Sequence, residues 1–121
     1  MRYLLLIFSL LPFAVFSSSW NCSNKGIEVQ CDKDSCSSST SFTPLSISTD
    51  NKELSVCAYS GCWEGKSTVI KQEHYIIYTG NHLAWTHNKN SKENFILVID
   101  TKEDPGFLKG GGFAVPVYCS H

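Results

Sequence analysis

Six cysteines are the feature that most constrains how this chain of 121 residues can fold. An even number of cysteines in a short exported chain predicts disulfide bonds rather than free thiols. A zinc site is the alternative, but neither closely spaced pair is Cys-x-x-Cys and no matched histidine pair accompanies them. We therefore predict a disulfide-stapled fold with no metal and no cofactor. The cysteines are Cys22, Cys31, Cys36, Cys57, Cys62 and Cys119.

The first 19 residues have the composition of a secretory signal peptide. Arg2 provides the positive start, Tyr3 to Phe16 is almost wholly apolar, and Ser17 to Ser19 supplies small residues for cleavage. The apolar run is shorter than the roughly 20 residues that a membrane-spanning helix needs. We expect a cleaved signal and a secreted or periplasmic protein with no membrane span after cleavage.

The segment from Leu54 to Ile70 reads LSVCAYSGCWEGKSTVI and predicts a cross-linked β-hairpin. Alternating apolar residues precede Cys57, and a turn of small residues separates it from Cys62. If the chain reverses there, the two cysteines come within bridging range. We predict a Cys57–Cys62 bond that fixes the turn, and we leave the other pairings open. A redox role is not favoured, because Cys-x-x-Cys at a helix start is absent.

Short runs with period-2 alternation recur about every ten residues, and no window shows an amphipathic helix. We predict an all-β fold, an antiparallel meander that closes into a small barrel, with a two-sheet sandwich as the alternative. Residues 20–41 form a cysteine- and serine-rich N-terminal segment, and residues 42–121 form the β body. A bond from Cys119 to the N-terminal segment would suit closure, because it would join the first and last elements.

Local signals predict four further features of the β body. Gly80-Asn81 indicates a tight two-residue hairpin turn, and His87 to Glu93 a long polar turn. Asn94 to Asp100 is apolar on both faces, which is typical of a central strand. Lys109 to Gly112 lacks the order of a phosphate-binding loop and indicates a bulge or strand connection.

No motif in the sequence predicts catalysis. Ser60 lacks the glycine two residues before it that a nucleophile elbow needs. The carboxylates cluster in predicted turns, around Asp32 and around Asp100, where acidic residues collect for structural reasons. The spacing of a calcium-binding loop is also missing. We expect no catalytic residue and no enzyme activity.

Binding is the function that the sequence favours. Tyr59 and Trp63 flank the cross-linked turn, and Lys109, Gly111 and Phe113 surround a glycine run that would let a partner backbone approach. These five residues are the candidate binding surface. With a net charge of −1 and no basic stripe, a nucleic-acid partner is not expected.

We expect a small monomeric binding protein of the cell envelope, an inhibitor or immunity-type module that recognises another protein. In size, export and β content it is similar to the lysozyme inhibitors of bacterial envelopes, a similarity that carries over no residues. A barrel that binds a small ligand or glycan is the alternative, and an enzyme of unknown type is third.

Overall fold

The computed structural model describes residues 19–121, so residues 1–18 of the predicted signal peptide lie outside it. Within the described range the chain forms ten β-strands joined by short turns. The strands are β1 (Ser19–Asn24), β2 (Glu28–Cys31), β3 (Cys36–Ser39), β4 (Ser46–Asp50), β5 (Glu53–Cys57), β6 (Cys62–Gln72), β7 (Tyr75–Trp85), β8 (Asn88–Asp100), β9 (Gly106–Gly110) and β10 (Phe113–Ser120).

Eight of these strands close into an antiparallel barrel. Strands β4 to β10 pair with their neighbours in chain order, and β1 pairs with both β4 and β10. Strands β2 and β3 pair with each other and extend β1 and β4 beyond the barrel, with β2 also bonded to the start of β10. The predicted all-β barrel is confirmed, and the sandwich alternative is wrong. Closure leaves no free edge within the ring itself.

Alternate residues of every barrel strand fill the interior, as the pleat of a β-strand requires. An eight-stranded barrel is just wide enough for side chains to pack across it. Tyr78, at 0% exposure, belongs to one buried core cluster with aliphatic side chains of other barrel strands. Each such burial stabilises the fold by about 1.5–3 kcal/mol. The largest fully buried side chains are Tyr78, Phe95, Ile47, Leu54, Leu83, Leu97, Ile99 and Leu108.

Of two turns predicted from the sequence, one is absent and one is shorter than predicted, because long strands run through these positions. Gly80 lies inside β7 rather than in a hairpin turn; a Cβ atom there would be 2.9 Å from the Leu83 side chain. The glycine makes room for an interior leucine, and the chain forms a bulge at His82, with φ of 60°. Residues 88–93 belong to β8, and the connection between β7 and β8 is limited to Thr86 and His87.

Each of the three disulfides joins residues that face each other across an antiparallel pair of strands. Cys57–Cys62 is the bond predicted for the hairpin. Cys22–Cys119 links the first and last barrel strands, as closure suggested, and Cys22 is buried. Three intramolecular disulfides indicate an oxidising environment.

The N-terminal segment, residues 20–41, contributes to the barrel as well as to the hairpin. Strand β1 lies in this segment and is part of the ring, so the closed structure starts before residue 42. Cys22 ties the segment to the body, whereas Cys31 and Cys36 bond to each other. That local bond makes the β2–β3 hairpin a separately stapled unit.

Candidate functional site

One end of the barrel carries the β2–β3 hairpin and three turns, and we call it the hairpin end. The turns connect β5 to β6, β7 to β8 and β9 to β10. Because the strands alternate in direction around the ring, these three connections emerge at the same end. The hairpin lies between the β9–β10 turn and the β5–β6 turn in strand order. All the candidate residues of the sequence analysis lie on or next to this end.

The β2–β3 hairpin is joined to the barrel by the pairing of β2 with the start of β10, and most of its residues are exposed. Every residue from Cys31 to Ser41 is exposed. Its tip is closed by the Cys31–Cys36 disulfide, and β3 forms the outer edge of the described sheet. Its base is held by the buried Asn24 side chain, which accepts from Leu45 N–H at 2.7 Å and donates to the Thr43 carbonyl at 2.8 Å.

An aspartate orders the hairpin tip inside the disulfide. Asp32 Oδ1 accepts hydrogen bonds from the backbone N–H groups of Asp34 (3.1 Å) and Ser35 (3.0 Å). The Asp32 N–H in turn donates to the Ser35 carbonyl at 3.0 Å. These bonds stabilise the ionised carboxyl, so the pKa of Asp32 is lowered from 3.8, mainly by the Asp34 and Ser35 N–H groups. The tip is therefore an ordered turn, although it contacts no core.

The β9–β10 turn packs beside the hairpin and forms shallow grooves with it. The Cys31 N–H donates to the Gly112 carbonyl across the gap, at 3.5 Å. One groove, of about 300 Å³, is lined by residues of the hairpin tip together with Gly111 and Gly112. A second, of about 200 Å³, is lined partly by Lys109 and Phe113. Three of the predicted surface residues therefore border the hairpin.

Tyr59 is the most exposed large apolar residue of the described chain, at 81% of its surface. It lies in the β5–β6 turn, which is closed by a hydrogen bond from Ala58 N–H to the Gly61 carbonyl at 2.9 Å. The neighbouring β7–β8 turn braces it. Thr86 N–H donates to the Cys62 carbonyl at 2.9 Å, and Cys62 N–H donates to Thr86 Oγ1 at 3.1 Å. Tyr59 is thus presented on a fixed turn.

Trp63, the other predicted residue of this turn, points into the barrel. Its ring lies 4.3 Å from that of Trp85 and 5.5 Å from that of Phe95, measured between centroids. Phe95 in turn lies 6.2 Å from Phe113. These four rings form a connected aromatic cluster beneath the hairpin end, so Trp63 and Phe113 support the rim more than they form its surface.

The hairpin tip, residues 31–36, was missed as a functional candidate by sequence reasoning. The signal that could have found it is spacing, because Cys31 and Cys36 are separated by five positions, like Cys57 and Cys62. Each pair encloses four residues suited to a turn, Asp-Lys-Asp-Ser in one case and Ala-Tyr-Ser-Gly in the other. The spacing of Cys31 and Cys36 is therefore compatible with the same kind of cross-linked turn.

The opposite end of the barrel carries the second predicted acidic group. Asp100 Oδ1 accepts hydrogen bonds from the backbone N–H groups of Glu103 (2.9 Å) and Lys102 (3.0 Å), and these two bonds hold the turn. The Glu103 N–H is the main reason that the pKa of Asp100 lies below 3.8, and His74, at 3.9 Å, adds a smaller effect. Within residues 19–121 no three His, Cys, Asp or Glu side chains are grouped to hold a metal ion.

Comparison with known proteins gives no relative for this chain: no family model, no curated protein and no solved structure matches it. The described part of the chain contains no helix long and apolar enough to cross a membrane.

Proposed function

We propose that this chain is a small exported binding protein that recognises another protein through the hairpin end. The finer localisation, secreted or periplasmic, belongs to the same proposal. It is supported by the apolar leader sequence and by three disulfides, which persist in oxidising compartments.

One observation carries the proposal: the β2–β3 hairpin is cross-linked and hydrogen-bonded, yet it is exposed and lies outside the core. Fixing the backbone of a residue costs about 1–2 kcal/mol, and burial normally offsets this cost. Here residues 31–41 are all exposed, yet a disulfide, the Asp32 turn and the Asn24 anchor order the hairpin. Preorganised loops bind tightly because they lose little entropy on association. A role in binding explains why the hairpin is ordered although burial does not stabilise it.

The shape of the hairpin end favours a concave protein partner, as an inhibitor or immunity-type role would require. The hairpin tip extends past its last hydrogen bond to the barrel, from Cys31 N–H to the Gly112 carbonyl, whereas the grooves beside it are shallow. Projecting rigid loops insert into clefts of their partners. Tyr59 adds an exposed aromatic residue on a braced turn, of the type that dominates binding energy at protein interfaces.

The filled barrel interior counts against the small-ligand alternative. Ligand-binding pockets are concave and bury most of the ligand surface. Here the inward side chains of β4, β5, β8 and β10 are fully buried against each other. A glycan platform on the outer surface would need exposed aromatic residues, and Tyr59 alone at the hairpin end has that exposure. Protein recognition therefore explains more of the site.

The experiment is capture of a partner from the exported protein fraction, followed by affinity measurement with matched variants. Lys33→Glu changes the hairpin tip, and Cys31→Ala/Cys36→Ala loosens it. Lys102→Glu is the control, because it lies in an exposed turn at the opposite end beside acidic residues, as Lys33 does. We expect both hairpin changes to weaken binding at least about fivefold, with the control unchanged.

A second variant separates the two turns of the surface. Tyr59→Ala tests the β5–β6 turn without altering the hairpin, and we expect a loss of about tenfold if both turns contact the partner. Full affinity in the Lys33, Cys31/Cys36 and Tyr59 variants together would contradict the proposal. Near-ultraviolet circular dichroism checks that each variant keeps its packed aromatic cluster.

A further inference from the structure

Strand β3 has an outer edge that lies outside the closed ring. Within residues 19–121, β3 pairs with β2 on one side and is the last strand of the sheet on the other. The barrel strands have neighbours on both sides because the ring closes. Strand β2 lies between β10 and β3. The backbone of β3 therefore presents hydrogen-bonding groups that the barrel does not pair.

Register identifies which backbone groups of β3 point toward this edge. The Asp32 N–H donates to the Ser35 carbonyl at the tip, and hydrogen-bonded and non-hydrogen-bonded pairs alternate from there along the antiparallel ladder. Cys36 and Ser38 belong to the non-hydrogen-bonded pairs, so the N–H and C=O groups of both residues point away from β2. The Cys31 N–H, opposite Cys36, follows the same rule, because it donates to the β9–β10 turn on the far side of β2.

The residues of β3 leave this edge open to another backbone. Natural edge strands are commonly protected by lysine, proline, a bulge or an inward charge. Strand β3 reads Cys-Ser-Ser-Ser, and its pairing with β2 is continuous over four residues without a bulge. All four residues are exposed, and their side chains are small. The strand is also short and polar, unlike the apolar segments that aggregate.

The free edge of β3 faces the position that continues β5. Residues 40–45 connect β3 to β4 and stay beside the line of β1 and β2, because the Asn24 side chain accepts from Leu45 N–H and donates to the Thr43 carbonyl. Strand β3 therefore continues the line of β4, whose far edge pairs with β5. The turn that follows β5 carries Tyr59. A strand added to β3 would run beside the hairpin and end next to Tyr59.

We propose that this edge binds an extended, cationic segment of the partner by strand addition. An extended backbone presents N–H and C=O groups at the same repeat as β3, so it forms about four hydrogen bonds with Cys36 and Ser38. The inference deepens the proposed function and rests on it, because the segment belongs to the protein that the hairpin end recognises. Backbone pairing supplies the contact along β3, and Tyr59 supplies the neighbouring side-chain contact.

Charge favours a cationic segment over a second copy of this chain. The hairpin from Glu28 to Ser39 contains three carboxylates and one lysine, which give it a net charge of −2. The charged residues are Glu28, Asp32, Lys33 and Asp34. Two β3 edges laid side by side would bring two such hairpins together, and like charges that meet across an interface are unfavourable. A segment that carries Lys or Arg is attracted by the same charges.

A phage-displayed library of random peptides of about ten residues, selected on the disulfide-bonded protein, supplies the probe. We expect binders that carry Lys or Arg. The tightest binder is synthesised with one N-methyl group at each position in turn, which removes a single backbone N–H. Only one edge of a paired strand faces β3, so N-methylation should weaken binding at least about fivefold at alternate residues and by less than about twofold at the residues between them.

A change at one residue of β3 tests the same contact from the side of the protein. Ser38→Pro removes the N–H that faces the free edge and keeps the bonds of β3 to β2, whereas Ser38→Thr is the matched control that keeps this N–H. We expect Ser38→Pro to weaken peptide binding at least about fivefold and Ser38→Thr to change it less than about twofold. A nuclear Overhauser contact between the Hα atoms of Val29 and Ser38 checks that the hairpin is intact. If Ser38→Pro opens the hairpin, the N-methyl series on the unaltered protein decides.

Three results would overturn strand addition: no selected peptide, N-methyl effects without a period of two, or full affinity in Ser38→Pro with an intact hairpin. A dimer of the free chain that Ser38→Pro abolishes would also overturn it, because a second copy would then occupy the edge. The proposed function fails separately. A captured partner that Lys33→Glu and Tyr59→Ala weaken but Ser38→Pro does not would retain protein recognition and remove strand addition. Strand-paired peptides with no protein captured from the exported fraction would retain the edge and remove the proposed partner.

Discussion

The Cys22–Cys119 bond should stabilise the barrel far more than either local disulfide. It joins residues 97 positions apart, whereas each of the other bonds spans 5 positions. The chain-entropy relation gives about 4.7 kcal/mol for the long loop and about 2 kcal/mol for each short loop. We therefore expect Cys22→Ala/Cys119→Ala to lower the free energy of unfolding by about 4–5 kcal/mol, and Cys57→Ala/Cys62→Ala by about 2 kcal/mol.

The hairpin disulfide should behave differently from both. Because residues 31–41 are all exposed and lie outside the core, we expect the hairpin to open while the barrel remains folded. We expect Cys31→Ala/Cys36→Ala to lower the global free energy of unfolding by less than about 1 kcal/mol. The same change should increase amide exchange in the hairpin.

Urea unfolding followed by tryptophan fluorescence measures all three variants, because the tryptophans lie in β1, β6 and β7 of the barrel. Equal losses from the Cys22/Cys119 and Cys57/Cys62 variants would refute the closure argument. A loss of more than about 2 kcal/mol from the Cys31/Cys36 variant would refute the independence of the hairpin.

Three other predictions follow from single contacts. Gly110→Ala should cost about 1–3 kcal/mol in urea unfolding, because its Cβ would lie 2.3 Å from Phe95 Cδ1; an unchanged midpoint would contradict this close approach. Trp63→Ala should lower the free energy of unfolding by at least about 2 kcal/mol, and Tyr59→Ala by less than about 0.5 kcal/mol. The reverse order would contradict the placement of Trp63 inside the barrel and of Tyr59 on its surface. The pKa of Asp32, measured by carboxyl NMR, should lie below 3.8. The contribution of Asp32 to hairpin stability is therefore present above the pKa of the unfolded chain and is lost as pH falls through the pKa of the folded protein. A pKa of 3.8 or more would contradict the hydrogen-bonded turn.

The barrel itself could be predicted because its strands obey simple alternation. Leu54 and Val56 point inward on β5, and the cysteines at the next turn face each other as their spacing implied. Closure by Cys119 was predictable for the same reason, since a bond to the first segment must join the ends of the meander. A strand that is buried on one face shows this alternation of apolar and polar residues in the sequence.

The β2–β3 hairpin and residues 88–92 of β8 could not be predicted from alternation. Strand β3 reads Cys-Ser-Ser-Ser and is exposed on both faces, so a disulfide and pairing with β2 hold it rather than burial. Residues 88–92 are also fully exposed, and polar residues there look the same in a strand as in a turn. The candidate site lies in this class of structure, which explains why its hairpin was missed.

Glycine is a residue type whose role the sequence alone leaves ambiguous. The sequence predicts a turn at Gly80, whereas in the fold this residue leaves room for the Leu83 side chain inside the barrel. A missing side chain serves both purposes, and only the three-dimensional packing distinguishes them. The positive φ that a turn would have required lies at His82 instead, in the bulge of β7.

Site-specific photo-crosslinking tests most directly whether the hairpin end binds a protein. A photoreactive residue replaces Lys33 at the hairpin tip, Tyr59 at the braced turn, or Lys102 at the opposite end, all of which are exposed. We predict that positions 33 and 59 crosslink to the same protein in the exported fraction, and that position 102 does not. Crosslinking of that protein at position 102 alone, or none at positions 33 and 59, would contradict the account.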